Sequence, residues 1–284
     1  MVDQQSEEIK RGKIGVALGG GAARGFAHIG VLEILEKEHI PIDMIAGTSM
    51  GAVIGVLYAQ GKTAAEIKKI AIDIDWVRMV QLVDPALPKT GFIAGNKIKD
   101  LLKSIIGDVD FSELKMPFAC TATDIMTGEE IIINKGSVLE AVRASISVPV
   151  IFSAFEYKNR YLVDGGLVDQ VPVEVVKNMG ADIVIAVNVT QRLINIRQHV
   201  YIDDAELPDE LLTKSPNMVA VIMKFINIMN SQSTDDSLNK ADVIIEPRLA
   251  DINFTDFRKA DKCILEGELA GIDALLDIKK LLSI

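Results

Sequence analysis

Met44-Ile45-Ala46-Gly47-Thr48-Ser49-Met50-Gly51-Ala52-Val53-Ile54-Gly55-Val56-Leu57-Tyr58-Ala59-Gln60-Gly61 runs eighteen residues without a charge. About eighteen apolar residues is the lower edge of what crosses a bilayer as a helix. Gly47, Thr48, Ser49, Gly51 and Gly55 interrupt this run, so it reads instead as a strand over Ile42 to Gly47, a tight turn, and a buried helix over Met50 to Gln60 stopped by Gly61. The stretch before it has the same form. Lys13 to Leu18 is an apolar run ending in glycines, and Arg24 to Lys37 follows with Phe26, Ile29, Leu32, Ile34 and Leu35 at helical spacing. Two strand-helix units in succession predict a parallel sheet covered by helices on both faces.

Outward from these units, helices are expected at Thr63 to Val80 and Asn96 to Ile106, with a loop between them carrying Pro85, Pro88 and Gly91 that could border a site. Pro117 to Thr123 and Glu130 to Ile133 alternate like paired strands, and Ser137 caps a short helix to Ser145. Phe155 to Tyr157 and Tyr161 to Val163 form a hairpin about Lys158-Asn159. A helix over Val173 to Met179 and a strand over Asp182 to Val187 come next. In the last third, Asp203 to Glu210 reads as acidic loop, Met218 to Met229 as apolar helix, Ala241 to Ile245 as strand and Phe257 to Leu282 as mostly helix. The expected organisation is a flexible N-terminus at 1–12 and one α/β domain at 13–284, of which 190–284 is a C-terminal helical extension.

Composition narrows the function classes. A hydrophobic content of 49% excludes a disordered chain. A formal net charge of −10, without a basic stripe interleaved with aromatics, argues against nucleic acid as a partner. Cys120 and Cys263 stand far apart and fit neither a disulfide framework nor a zinc site. Met1 to Lys13 has no apolar signal region, so a cytoplasmic protein, at most peripheral to a membrane, is the expectation.

Three constellations carry chemistry. Gly47-Thr48-Ser49-Met50-Gly51 is a G-x-S-x-G pentapeptide between strand and helix, the context in which a serine becomes an exposed nucleophile; read alone, Ser49 serves equally as an ordinary helix cap. Gly19-Gly20-Gly21-Ala22-Ala23-Arg24-Gly25 opens the first helix. A P-loop needs Lys and a hydroxyl where Phe26 and Ala27 stand, and a dinucleotide fingerprint needs an acid closing the second strand, whereas Asp43 opens it. A nest of N–H groups for an oxyanion, with Arg24 adding charge, is the third reading. The three histidines, His28, His39 and His199, do not sit in loops of the triad type. The remaining base is Asp164, before Gly165-Gly166 at a strand end, where burial raises a carboxyl pKa; Asp-Gly-Gly also makes simple turns. All three constellations fall at C-terminal strand ends, where open α/β sheets bind ligands.

These residues resemble the patatin-like phospholipase family, lipid acyl hydrolases with a Ser-Asp dyad. Gly19 to Gly25 is similar to its oxyanion loop, Gly47 to Gly51 to its nucleophile elbow, Ala144-Ser145-Ile146-Ser147-Val148-Pro149 to its A-S-x-S-x-P block, and Asp164-Gly165-Gly166 to its D-G-G. The resemblance covers about Lys13 to Val189 and implies a three-layer α/β/α fold with a mostly parallel central sheet. It implies Ser49 as nucleophile, Asp164 as general base, and hydrolysis of acyl esters without metal or nucleotide cofactor. The oxyanion hole falls to Gly19, Gly20, Gly21 and Met50, supported by Arg24, Gly25, Gly47, Gly51, Gly165 and Gly166. Arg24 either braces the loop or meets a substrate phosphate. One departure follows D-G-G, where Asp169-Gln170-Val171-Pro172 replaces the common Asn-x-Pro.

The expected function is hydrolysis of carboxylic esters of phospholipids, lysophospholipids or related lipids, with transient membrane-surface contact and an open oligomeric state. A lipid-binding or regulatory protein on the same fold and an acyltransferase sharing the acyl-enzyme are the alternatives. Phe92, Ile93 and Met218 to Met229 could cover an acyl chain, core packing being the more expected role of the last stretch.

Overall fold

The computed structural model describes residues 11–73, 96–149, 151–190 and 218–283. Strands β1 Ile14–Leu18, β2 Met44–Thr48, β3 Phe118–Asp124, β4 Glu130–Ile133, β5 Phe155–Tyr157, β6 Arg160–Asp164, β7 Ile183–Val187 and β8 Val243–Ile245 form one sheet in the order β5-β6-β3-β2-β1-β7-β8, with β4 also on β3. β1, β2, β3, β7 and β8 run parallel, while β4, β5 and β6 attach antiparallel. The helices are α1 Ala27–Lys37, α2 Met50–Ala59, α3 Ala64–Asp73, α4 Asn96–Ile106, α5 Val138–Ser145, α6 Val173–Asn178, α7 Met218–Leu238 and α8 Ala260–Leu282.

The parallel strands are buried on both faces, and period-two alternation divides their side chains between two cores. Ile14, Val16 and Leu18 of β1 join the larger core with α1, α2, α5 and α8. Ala17, with Met44, Ala46 and Val184, joins a smaller one with Val173, Val175 and Val176 of α6 and Leu238 of α7. The architecture is therefore the three-layer α/β/α sandwich. It also accounts for the uncharged run, which is divided between β2 and α2 and is buried almost throughout. Among the described residues no helix is long and apolar enough to cross a membrane.

The C-terminal third contributes more than helix. β8 extends the sheet beyond β7, and α8 lies along α1 at a crossing so close that a Cβ on Gly267 would sit 2.0 Å from the Ala27 carbonyl oxygen. The apolar helix expected at Met218 to Met229 runs on to Leu238, and one face of its first half points outward: Val221, Phe225, Ile228 and Met229 are exposed and Ile222, Met223 and Ile226 half-buried, whereas Thr234 and Leu238 are buried. Residues 1–10, the loop with Pro85, Pro88 and Gly91, Phe92, Ile93, His199 and the acidic stretch 203–210 lie outside the described residues.

The sheet registers bring two strand ends together. β2 pairs with β3 from Phe118 to Thr121 and ends at Thr48, opposite Thr121. β6 pairs with β3 from Asp124 back to Ala122, and its last residue, Asp164, faces Ala122. β4 covers Cys120 to Thr123 and so occupies the opposite edge of β3. Hence β2 and β6 share one edge, running toward each other and stopping at adjacent positions.

Candidate active site

Ser49 follows the last residue of β2 and precedes the first of α2, with φ 53° and ψ −118°. That left-handed backbone is strained for a residue with a side chain and persists only where its surroundings enforce it. The enforcement is steric: a Cβ on Gly51 would come within 2.1 Å of the Leu18 carbonyl oxygen, and one on Gly47 within 2.4 Å of the Gly51 carbonyl oxygen. The Ser49 N–H donates to Ser145 Oγ at 2.9 Å, so the turn is also pinned from α5.

Asp164 ends β6 and is 5% exposed. Its Oδ1 accepts the Gly166 N–H at 2.8 Å, and its own N–H donates to the Ser147 carbonyl at 3.0 Å. Oδ2 is buried and has no partner of full hydrogen-bond geometry among the described residues. The Ser49 hydroxyl comes close enough to favour the charged carboxylate without completing such a bond. Burial dominates, pushing the carboxyl from its ordinary 3.8 up to about 6, against the opposing pull of Ser49 and Gly166. A carboxylate of that basicity, with one oxygen unengaged, is suited to accept a proton near neutral pH.

The glycine loop follows β1. Gly19 N–H donates to the Val187 carbonyl at 3.0 Å and Gly20 N–H to the Gln170 carbonyl at 2.9 Å. Both donors are therefore occupied, although the sequence assigns Gly19 and Gly20 to the oxyanion hole. Gly20 instead lies against Ser49 as a spacer, since a Cβ there would be 3.4 Å from that of Ser49. The N–H groups of Gly21 and of Met50, the latter at the positive end of α2, have no acceptor among the described residues. Of the four positions expected to form an oxyanion hole, these two keep their N–H groups without a partner among the described residues.

The Arg24 Nε donates to the Ile252 carbonyl at 2.6 Å and the guanidinium stacks over Phe254 at 4.4 Å, contacts that brace the loop, while burial lowers its pKa. His28 is fully buried. Its Nε2 lies 2.7 Å from the Gly19 carbonyl oxygen, and burial pushes its pKa down to about 4, which leaves it neutral with the proton on Nε2. Asp43 accepts the Ile14 N–H and pairs with Arg11 at 2.7 Å, at the start of β1, away from the glycine loop. A dinucleotide site on that acid is thereby excluded.

Two bracing residues were not picked out from the sequence. Gln170 Nε2 donates to the Gly20 carbonyl at 2.6 Å, tying the turn after β6 to the glycine loop. The sequence signal was the departure from Asn-x-Pro, which places the longer amide there. Arg143, 2% exposed, donates to Ser147 Oγ at 2.5 Å and sits 5.4 Å from the Phe152 ring centroid. The A-S-x-S-x-P block thus holds Ser49 through Ser145 and Asp164 through Ser147.

Comparison with known proteins gives one family. The model for patatin-like phospholipase matches residues 16–177. An uncharacterized NTE family protein of Mycobacterium bovis is 36% identical over 176 residues, covering 62% of this chain and 49% of its own. The lysophospholipase NTE1 of the yeast Debaryomyces hansenii is 35% identical over 181 residues, 62% of this chain and 12% of its own. The chain thus spans about half the length of the mycobacterial relative and a small part of the yeast one. Among solved structures, VipD from Legionella pneumophila superposes with a TM-score of 0.62 at 13% identity over 96% of this chain and 67% of that one, a likeness of fold.

Proposed function

Because this chain belongs to the patatin-like phospholipase family, we propose that it is a serine acyl hydrolase acting on carboxylic esters of lipids, with Ser49 as nucleophile and Asp164 as its base. The observation that carries this reading is the Asp164 carboxyl, buried, raised to about 6 and with Oδ2 unengaged, beside a serine in a strained strand-to-helix turn.

In the first half-reaction Asp164 takes the Ser49 Oγ proton as Oγ forms a bond to the ester carbonyl carbon. The carbonyl electrons move onto oxygen, and the Gly21 and Met50 N–H groups donate hydrogen bonds to the resulting oxyanion. When the tetrahedral adduct collapses, the alcohol leaves with the proton returned by Asp164, and an acyl-Ser49 ester remains. In the second half Asp164 deprotonates a water that attacks this ester, and as the bond to Oγ breaks it passes that proton to Ser49, releasing fatty acid. The likeness to a lysophospholipase supports lysophospholipids as the first substrates to try.

The test is fatty-acid release from lysophosphatidylcholine by the purified chain. Wild type should turn over, and Ser49→Ala and Asp164→Asn should each fall by at least about 10³-fold. Full turnover by Ser49→Ala would sink the dyad.

A further inference from the structure

α7 carries a group of its apolar residues on the outside. Val221, Phe225, Ile228 and Met229 recur at i, i+4, i+7 and i+8, which places them on one face, and they are 50%, 61%, 45% and 65% exposed. This exposed face is also free of carboxylates. From Met218 to Thr234 there is no carboxylate and a single cation, the exposed Lys224, in a protein with net charge −10.

The face is also fixed in place beside the site. Asn230, next to Met229, donates its Nδ2 to the Gly166 carbonyl at 2.5 Å, in the turn that holds Asp164. Ser237 donates to the Val171 carbonyl at 3.0 Å further along the same helix. α8 exposes apolar side chains too, at Leu265, Leu269, Ile272 and Leu276, but Glu266, Asp273 and Asp277 are interleaved with them. A surface of lipid phosphates would repel that helix, whereas on α7 it would meet only Lys224.

We propose that the outward face of α7 is the surface by which this protein lies on a phospholipid aggregate. Its side chains enter the boundary between headgroups and acyl chains, Lys224 meets lipid phosphate, and the Asp164-Gly165-Gly166 turn is thereby held at the interface. An amphipathic helix of this kind lies in the surface without crossing it. The proposal rests on the lipid hydrolase reading above and adds where the lipid surface is contacted.

The test uses the full chain with Ser49→Ala, so that binding is read without hydrolysis, and flotation with vesicles of phosphatidylcholine and phosphatidylglycerol. The Phe225→Ser/Met229→Ser pair should lower the bound fraction by about tenfold or more, and Lys224→Glu should weaken binding in a way that salt abolishes for the parent. Leu269→Ser/Leu276→Ser on α8 should leave binding unchanged. With Ser49 restored, the α7 pair should lose turnover on vesicle lipid while turnover of a water-soluble short-chain ester stays within about twofold, since the site is untouched.

Unchanged vesicle binding by the α7 pair overturns the proposal. So does a parent that self-associates through this face, seen as a dimer that the pair dissociates while vesicle binding persists. Binding that depends on α7 in a chain that hydrolyses no lipid would leave this surface standing and remove the hydrolase reading.

Discussion

At the residue scale the proposed hydrolysis depends on one carboxyl. As its base, Asp164 would act only when ionised, so kcat/KM for a soluble ester should rise with pH through about 6 and level off above it. The limb should survive Asp169→Asn: Asp169, raised to about 8 first by burial and then by the facing Glu130 carboxylate, is not the group beside Ser49. The same shift affects stability. The folded protein holds the Asp164 proton more tightly than the unfolded chain, so the stability this group contributes is present below 3.8 and is lost as pH rises through about 6. The rise corresponds to about 3 kcal/mol against the ionised form. Asp164→Asn should therefore melt several degrees above wild type at pH 8, and the difference should vanish near pH 4; equal melting at pH 8 would contradict the buried charge.

At the element scale the decisive contacts are close approaches between backbones. α1 and α8 touch through Gly30 and Gly267, where added Cβ atoms would each fall 2.0 Å from a carbonyl oxygen of the other helix. Gly267→Ala must separate the two helices and should destabilise the fold by about 3 kcal/mol or more, measured by denaturant unfolding, despite the better helix propensity of alanine. A gain in stability would mean that the helices are not packed this closely. The strand-helix units at 13–61 were legible because burial on every side leaves an uncharged run with glycines at the turn. The outward face of α7 was not, since an apolar helix looks the same in sequence whether its face meets a core or solvent.

At the scale of the whole molecule, the C-terminal third holds the glycine loop from a distance. Arg24 and Ile252 are 228 residues apart, yet their hydrogen bond and the Phe254 carbonyl accepting from Ala23 fix the loop's outer side. Arg24→Met should therefore lower kcat by about tenfold for a phospholipid and for an uncharged short-chain ester alike, with KM little changed. A loss confined to the phospholipid and expressed in KM would assign Arg24 to substrate phosphate instead. Such long-range braces leave no local pattern, and for that reason the Ile252 to Phe254 segment escaped the sequence reading and Gln170 showed only as a departure from Asn-x-Pro, whereas Ser49 and Asp164 stood out at strand ends that the registers on β3 bring together. The same distance effect separates the glycines: sequence groups Gly19, Gly20 and Gly21, and only the partners of their N–H groups single out Gly21. The most direct measurement of the central claim is peptide mass spectrometry after fluorophosphonate treatment at pH 8. The account predicts one adduct, on Ser49, absent from Ser49→Ala and strongly reduced in Asp164→Asn. An adduct elsewhere that survives Ser49→Ala, or none in wild type, would contradict it.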